Sequence, residues 1–520
     1  MRLFFFWLLL LAGAAPAYAA GPETELFAAV KAGNVAATRT LLGQKADVNA
    51  LEPDGTSALH WAVRAGDAAS AELLIRAGAR VDAANRYGVT PLSLAARIGR
   101  ADVIDLLLKS GASIKIAEAT LPEGQTLTMH AARTGGVDAV KRLIAAGSDI
   151  DARETRTGTT ALVWAAVSNR SDVVRALAEA GADLNIQSKV TNYPHTQNGV
   201  LLSGVEEGVS YVGQTVLPRG GWSAAMYAAR EGAADAARAL AESGANLNLM
   251  DPEGTTALII AIINAHWETA SVLIEKGADP NLADIKGMTP LYAAIDMHTL
   301  GDTFGRPYPP APVIEGSVSI IKMLLAKGAN PNAGLQGPIL KRVYDAGDNR
   351  LGEGATPFMR AARKCDVAVM KLLLDAGADP KLTQKSGNNA LMLAAGAVSS
   401  GGDETQRISE EQALAAIKIG IAAGIDVNDT NSNGDTAMHT AATTSGGLHS
   451  VIRLLAESGA RLDIKNKGGR TALEAAQRAR QPNEATISLL RDLRGRSFPK
   501  RRRRTRRSAS MSTASEPLRR

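Results

Sequence analysis

A glycine returns about every 33 residues along most of the chain and opens the same phrase each time. It reads Gly55-Thr-Ser-Ala-Leu-His, Gly88-Val-Thr-Pro-Leu-Ser, Gly158-Thr-Thr-Ala-Leu-Val, Gly254-Thr-Thr-Ala-Leu-Ile, Gly287-Met-Thr-Pro-Leu-Tyr and Gly434-Asp-Thr-Ala-Met-His. A fixed period of this length argues against one globular core. It specifies supersecondary units that bury their apolar faces only by stacking on their neighbours.

A second glycine closes each unit, as in Gly78-Ala-Arg-Val-Asp, Gly181-Ala-Asp-Leu-Asn, Gly277-Ala-Asp-Pro-Asn and Gly459-Ala-Arg-Leu-Asp. Glycine there ends a helix in a left-handed turn without Cβ strain. The Leu pairs before it (Leu73-Leu74, Leu106-Leu107, Leu372-Leu373) fall on one helical face. The Thr of the opening phrase is expected to cap a first helix, with Pro91, Pro290 and Pro357 in its first turn. Asn388-Asn389-Ala390 departs from the Thr rule. Ala pairs follow, such as Ala95-Ala96, Ala131-Ala132, Ala228-Ala229 and Ala361-Ala362, and small side chains let neighbouring helices approach closely.

Composition agrees. Aromatic residues make up 4% of the 520, too few for a large aromatic core. The single cysteine, Cys365, excludes an intramolecular disulfide and a Cys-ligated zinc site, and reads as a small apolar filler. Residues 494–520 hold eleven Arg or Lys and one Glu, so of the formal charge of +6 the tail carries +10 and residues 1–493 carry −4.

The start of the chain is expected to be a cleaved secretory signal over residues 1–20. Arg2 precedes an apolar run from Leu3 to Ala12, and Ala17-Tyr18-Ala19 fits the small-x-small cleavage rule. Nothing later is apolar enough to cross a bilayer. The implied location is exported, periplasmic or secreted. The frequent Ala, Arg and Gly suggest a GC-rich bacterium.

The turn, the Thr-Pro-Leu-His-like helix, the second helix and the Gly-Ala-Asp-x-Asn loop together resemble the ankyrin repeat. The resemblance implies an all-α solenoid of about 12 helix-turn-helix units with β-turn fingers over residues 21–493. It implies a non-catalytic protein-binding scaffold that uses its finger tips and the inner, concave face of its first helices. It also implies that His60, His130 and His439 bond between neighbouring turns. The export signal, with the stretches Val212–Trp222 and Asp296–Thr299, is further similar to a set of exported bacterial ankyrin proteins.

Departures from the period place four insertions. A regular unit takes 23 residues from opening to closing glycine and 10 to the next opening glycine. Gly181 to Gly221 takes 40 and Gly328 to Gly354 takes 26, which puts enlarged fingers near 187–219 and 333–353. Gly287 to Gly328 takes 41 and Gly387 to Gly424 takes 37, which puts loops between paired helices near 299–316 and 398–409. The fingers offer Tyr193, His195, Tyr211, Arg219 and Trp222, and the rigid Pro-rich loop offers Arg306 and Tyr308. Loops of this kind either contact a partner or cover apolar helix ends.

After the Ala pair, the next position faces the groove in the ankyrin pattern. It holds Lys31, Arg64, Arg97, Arg133, Val167, Arg230, Ile263, Asp296 and Arg363. A row of cations favours an acidic partner surface, although Arg and Lys are also ordinary residues at a solvated helix position. The tail block Lys500, Arg501, Arg502, Arg503, Arg504, Arg506 and Arg507 reads as disordered. With an export signal it points to an anionic envelope surface rather than to nucleic acid, and a tether working through this tail is the alternative function. No phosphate-binding loop, metalloprotease motif or nucleophile elbow occurs. No enzyme activity, metal or cofactor is expected.

Overall fold

A computed structural model describes residues 21–193, 217–299, 311–337, 350–397, 408–444 and 448–495, with only the backbone at 192, 193, 217–219, 299 and 311–314. Expectations placed on the signal segment, on His195, Tyr211, Arg306 and Tyr308, and on the tail from residue 496 lie outside these residues, as do the side chains of Tyr193 and Arg219.

The chain divides into two compact units, one ending at Asp284 and the other beginning at Ile285. The first holds seven antiparallel helix pairs: Pro22–Lys31 with Val35–Gly43, Ala58–Arg64 with Ala68–Arg76, Pro91–Ile98 with Ala101–Lys109, Leu127–Thr134 with Val137–Ala145, Ala161–Val167 with Ser171–Glu179, Ala224–Glu231 with Ala234–Glu242, and Ala257–Ile263 with Trp267–Glu275. The second holds five: Pro290–Thr299 with Ala311–Ala326, Pro357–Arg363 with Val367–Asp375, Ala390–Ala395 with Glu410–Ala422, Ala437–Thr443 with His449–Glu457, and Ala472–Gln477 with Glu484–Arg494. Within the first unit, first helices pack on first helices and second on second, in chain order. Each unit is therefore an all-α array of stacked helix pairs, as the repeat implied.

The first helices sit between two neighbours and a partner, so they are apolar on most sides. In Ala257–Ile263 every residue up to Ile262 is buried. The Ala pairs 95/96, 131/132, 228/229 and 361/362 have no solvent exposure, which is what close helix approach requires. The second helices are amphipathic. In Ala101–Lys109 the stripe Val103, Ile104 and Leu107 is fully buried, and each such side chain contributes about 1.5–3 kcal/mol.

Capping sets where the first helices start. Thr90, Thr126, Thr256, Thr356 and Thr436 each accept from the amide three residues on. Ser57, not Thr56, is the cap in the second pair, and Thr160 makes no side-chain cap bond. Asn389 caps as Thr does, accepting from Met392 N at 3.0 Å. The departure from the Thr rule therefore costs the helix nothing, since Asn is an equally good cap.

Fingers are tied together along their backbones. Arg86 N donates to Asp54 O (2.8 Å), Lys385 N to Glu353 O (2.8 Å), Ser432 N to Ser386 O (2.9 Å) and Lys467 N to Asn433 O (2.8 Å). Gly434 (φ 75°) lies at such a crossing, where a Cβ would meet Lys467 N at 2.9 Å. The Asn and Asp residues at the ends of the closing loops form a second ladder. Asn49 Oδ1 accepts from Arg80 N (2.9 Å), Asn248 Oδ1 from Asp279 N (2.8 Å) and Asn428 Oδ1 from Arg461 N (2.8 Å).

Several expectations are corrected. The finger after Gly111 contains a short helix, Ile114–Ala119, started by the Ser113 cap, a departure from the period that the four insertions did not include. The insertion near 299–316 is not all loop, because the second helix of that pair begins at Ala311 and runs 16 residues. The 187–219 finger has a β-ribbon at its base, Thr191–Tyr193 antiparallel to Leu217–Arg219.

The candidate binding surfaces

His60 and His439 each tie two turns together. His60 Nδ1 lies 2.7 Å from Ser57 Oγ and Nε2 lies 2.9 Å from Val89 O. His439 does the same with Thr436 Oγ1 (2.9 Å) and Arg470 O (3.1 Å). Burial lowers the pKa of His60 below the usual imidazole range. His130 does not belong to this set. Counted from its cap Thr126 it is the fourth residue rather than the third, a place that Met129 takes. Its ring packs edge-on against Trp164 at 5.5 Å, and neither nitrogen has a hydrogen-bond partner among the described residues. Burial, followed by the charges of Arg133 and Arg97, lowers its pKa to about 4.

The fourth position after the cap carries Trp61, His130, Trp164 and Tyr227 in the first unit, and the seventh carries Arg64, Arg97, Arg133 and Arg230. Residues three apart on a helix share a face, so aromatic rings and cations form adjoining rows. Lys31, Arg64, Arg97, Arg133 and Arg230 are all exposed, while Trp61, Trp164, Trp222 and Tyr227 are half-buried. Lys31 Nζ lies 4.3 Å from the Trp61 ring centre and the Arg64 guanidinium 5.1 Å from it. Arg133 lies 5.4 Å from Trp164, and Arg230 lies 5.4 Å from Trp222 and 5.1 Å from Tyr227. Lys31 also pairs with Glu52 (2.5 Å) and Arg230 with Glu231 (2.6 Å). Arg64, Arg97 and Arg133 make no ion pair among the described residues. Trp222 sits at the base of the 187–219 finger, with Nε1 donating to Asp251 Oδ2 at 3.1 Å and its backbone N–H to Ser188 Oγ at 3.0 Å.

In the second unit the row changes character. Arg363 is half-buried, and its Nη1 donates to Gly396 O at 3.3 Å. Asp296 pairs with Arg360 at 2.6 Å, and Arg360 is only 4% exposed. Nearby, His298 Nδ1 lies 2.8 Å from Ser317 Oγ and Nε2 lies 2.9 Å from Asp366 Oδ2. Burial works against the Asp366 carboxylate, but its bonds to His298 and to the Val369 amide outweigh it and hold its pKa below the usual range. The Ser–His–Asp order is that of a hydrolytic triad, yet Ser317 lies within a helix with no solvent exposure, out of reach of a substrate. The chain of bonds instead joins two neighbouring helix pairs. Cys365 is buried as well, and burial pushes its thiol up to about 12, so it stays protonated and unreactive.

Residues 350–481 also line an open groove of about 1460 Å³ that the sequence reading missed. Its fingers supply Lys385, Asn433 and Arg470, its first helices Met392 and Thr440, and its far end Arg478. No group of three or more acidic, His or Cys residues among those described could hold a metal. No described helix is long and apolar enough to cross a membrane.

The family models agree with this architecture. The family model for ankyrin repeats in three copies matches residues 26–118, 116–188, 201–284, 225–301 and 408–495, and the single-repeat model matches 286–334 and 353–385. A mitochondrial disaggregase of Bos taurus is 47% identical over 58 residues, which is 11% of this chain and 8% of that protein's length. Among solved structures, the human ASB11 ankyrin repeat domain aligns with 49% of this chain and 98% of its own, at 25% identity and a TM-score of 0.38. With the repeat models matching well over half of the sequence and twelve helix pairs among the described residues, the chain belongs to the ankyrin-repeat family.

Proposed function

We propose that this chain is an exported scaffold of a bacterial cell envelope that binds an acidic protein surface across its first-helix face and the flanking fingers. Ankyrin arrays are protein-binding scaffolds, and typically not enzymes. The observation that carries the finer reading is the row of five exposed cations in the first unit, three of them without an acidic partner among the described residues. A one-signed row concentrates an oppositely charged partner and speeds its encounter. The apolar run before Ala17-Tyr18-Ala19 supports export.

The test is copurification from the native envelope. The tagged full chain is expected to bring down one stoichiometric protein, and R64E/R97E/R133E is expected to lose it while keeping its helical circular dichroism. Undiminished recovery of that protein by the folded variant would overturn the reading.

A second reading rests on the tail, where eleven basic residues follow a body that is net acidic. A tether of that kind would bind anionic surfaces with steep salt dependence, and binding would vanish on truncation after Leu493.

A further inference from the structure

The three uncompensated arginines are not merely a positive patch, because their spacing is set by the fold. Each is the seventh residue after a cap: Ser57 to Arg64, Thr90 to Arg97 and Thr126 to Arg133. The helices Ala58–Arg64, Pro91–Ile98 and Leu127–Thr134 pack directly on one another in that order. The positions that carry the arginines therefore repeat at the distance between packed helices, about 8–10 Å. The outer two are propped against rings, Arg64 on Trp61 and Arg133 on Trp164. A guanidinium already stacked on an aromatic face has less freedom to lose when it meets a carboxylate.

We propose that this row reads an extended acidic segment of a partner protein in the polyproline II conformation, with Asp or Glu at every third position. The inference rests on the row being the binding face. A polyproline II chain turns once every three residues and rises about 3.1 Å per residue, so every third side chain shares an edge at about 9.3 Å. That matches the arginine repeat. A β-strand places same-face residues at multiples of about 6.6 Å, and falls out of step by the second arginine. An α-helix with an acid every seventh residue gives about 10.5 Å, just beyond the range, and adds that error at each step. The half-buried rings of Trp61 and Trp164 lie beside the cations, and aromatic-lined faces are where proline-rich segments dock.

The experiment uses the full chain and fluorescein-labelled peptides, read by anisotropy at physiological ionic strength. One peptide is four Glu-Pro-Pro repeats, and its isomer has the same residues in separate Glu and Pro blocks. A third is a helical peptide with Glu at every seventh position. The repeat peptide is expected to bind about tenfold more tightly than its isomer, and Arg97→Gln, which keeps the helix, to remove most of that advantage. Equal binding of repeat and block peptides would overturn the proposal by reducing the row to bulk charge. Tighter binding of the helical peptide, or binding of none, would overturn it too. If the native partner is still captured, and still lost in R64E/R97E/R133E, that failure belongs to the spacing rule alone and leaves the scaffold reading standing.

Discussion

Single residues here answer to their place in the unit before their chemistry. His130 is the case in point. At the third position after the cap, a histidine joins two turns, as His60 and His439 do. One residue later it becomes a buried ring beside Trp164 with Arg97 and Arg133 near it, and its pKa falls to about 4. Because the folded value lies below the unfolded one, near 6.5, the unfolded chain binds the proton first. The contribution is intact above pH 6.5 and is lost as pH falls toward 4. Thermal melts of His130→Leu, which copies Leu94 of the preceding unit, should therefore fall less steeply than wild type between pH 6.5 and 4. Parallel curves would contradict the assignment. Ala265 gives a second test. It sits at φ 58° in the connection that Gly33, Gly66, Gly99, Gly135 and Gly232 fill elsewhere. A left-handed alanine costs about 1–2 kcal/mol, partly offset by the larger unfolded-state entropy of glycine. Ala265→Gly is expected to stabilise by about 0.5 kcal/mol in denaturant titration, and a lower midpoint would count against it.

At the level of the element, the fold was legible because the period is local. Caps, left-handed closing glycines and the Val103-Ile104-Leu107 stripe recur at fixed offsets, so the helices follow from the repeat. What the period did not reveal has physical reasons. The Asn and Asp ladders join positions about 30 residues apart, whose amides carry no side-chain signature. The aromatic row lies at a position where an apolar residue is the ordinary expectation, so Trp61 and Trp164 gave no sign of their cation contacts. The His298, Ser317 and Asp366 chain and the 350–481 groove draw on residues on both sides of an insertion, where counting from the repeat loses register. Asn428 tests the ladder. It accepts from Arg461 N and donates to Gly459 O (3.1 Å), two bonds into the next unit. Asn428→Ala should cost about 0.5–1.5 kcal/mol by chemical denaturation, whereas Asn428→Asp, which keeps the acceptor, should cost less. Equal losses would mean that the acceptor does not matter.

For the whole molecule, an array without one core is stabilised by its intrinsic repeats and the interfaces between neighbours, and its surface is what it offers to others. The first unit offers a row of cations, four of the five set on aromatic rings. The described part of the second offers a polar groove, with Asp296 and Arg363 of the same row held in ion-pair and backbone contacts. The central claim is that a partner protein sits on the first-helix face of the first unit. Crosslinking the tagged full chain in its native cell, with mass spectrometry of the crosslinked sites, tests it most directly. The account predicts one dominant partner, with acidic segments joined next to Arg64, Arg97 and Arg133 and in the 187–219 finger. Crosslinks confined to residues 496–520 and spread over many unrelated envelope components would contradict it.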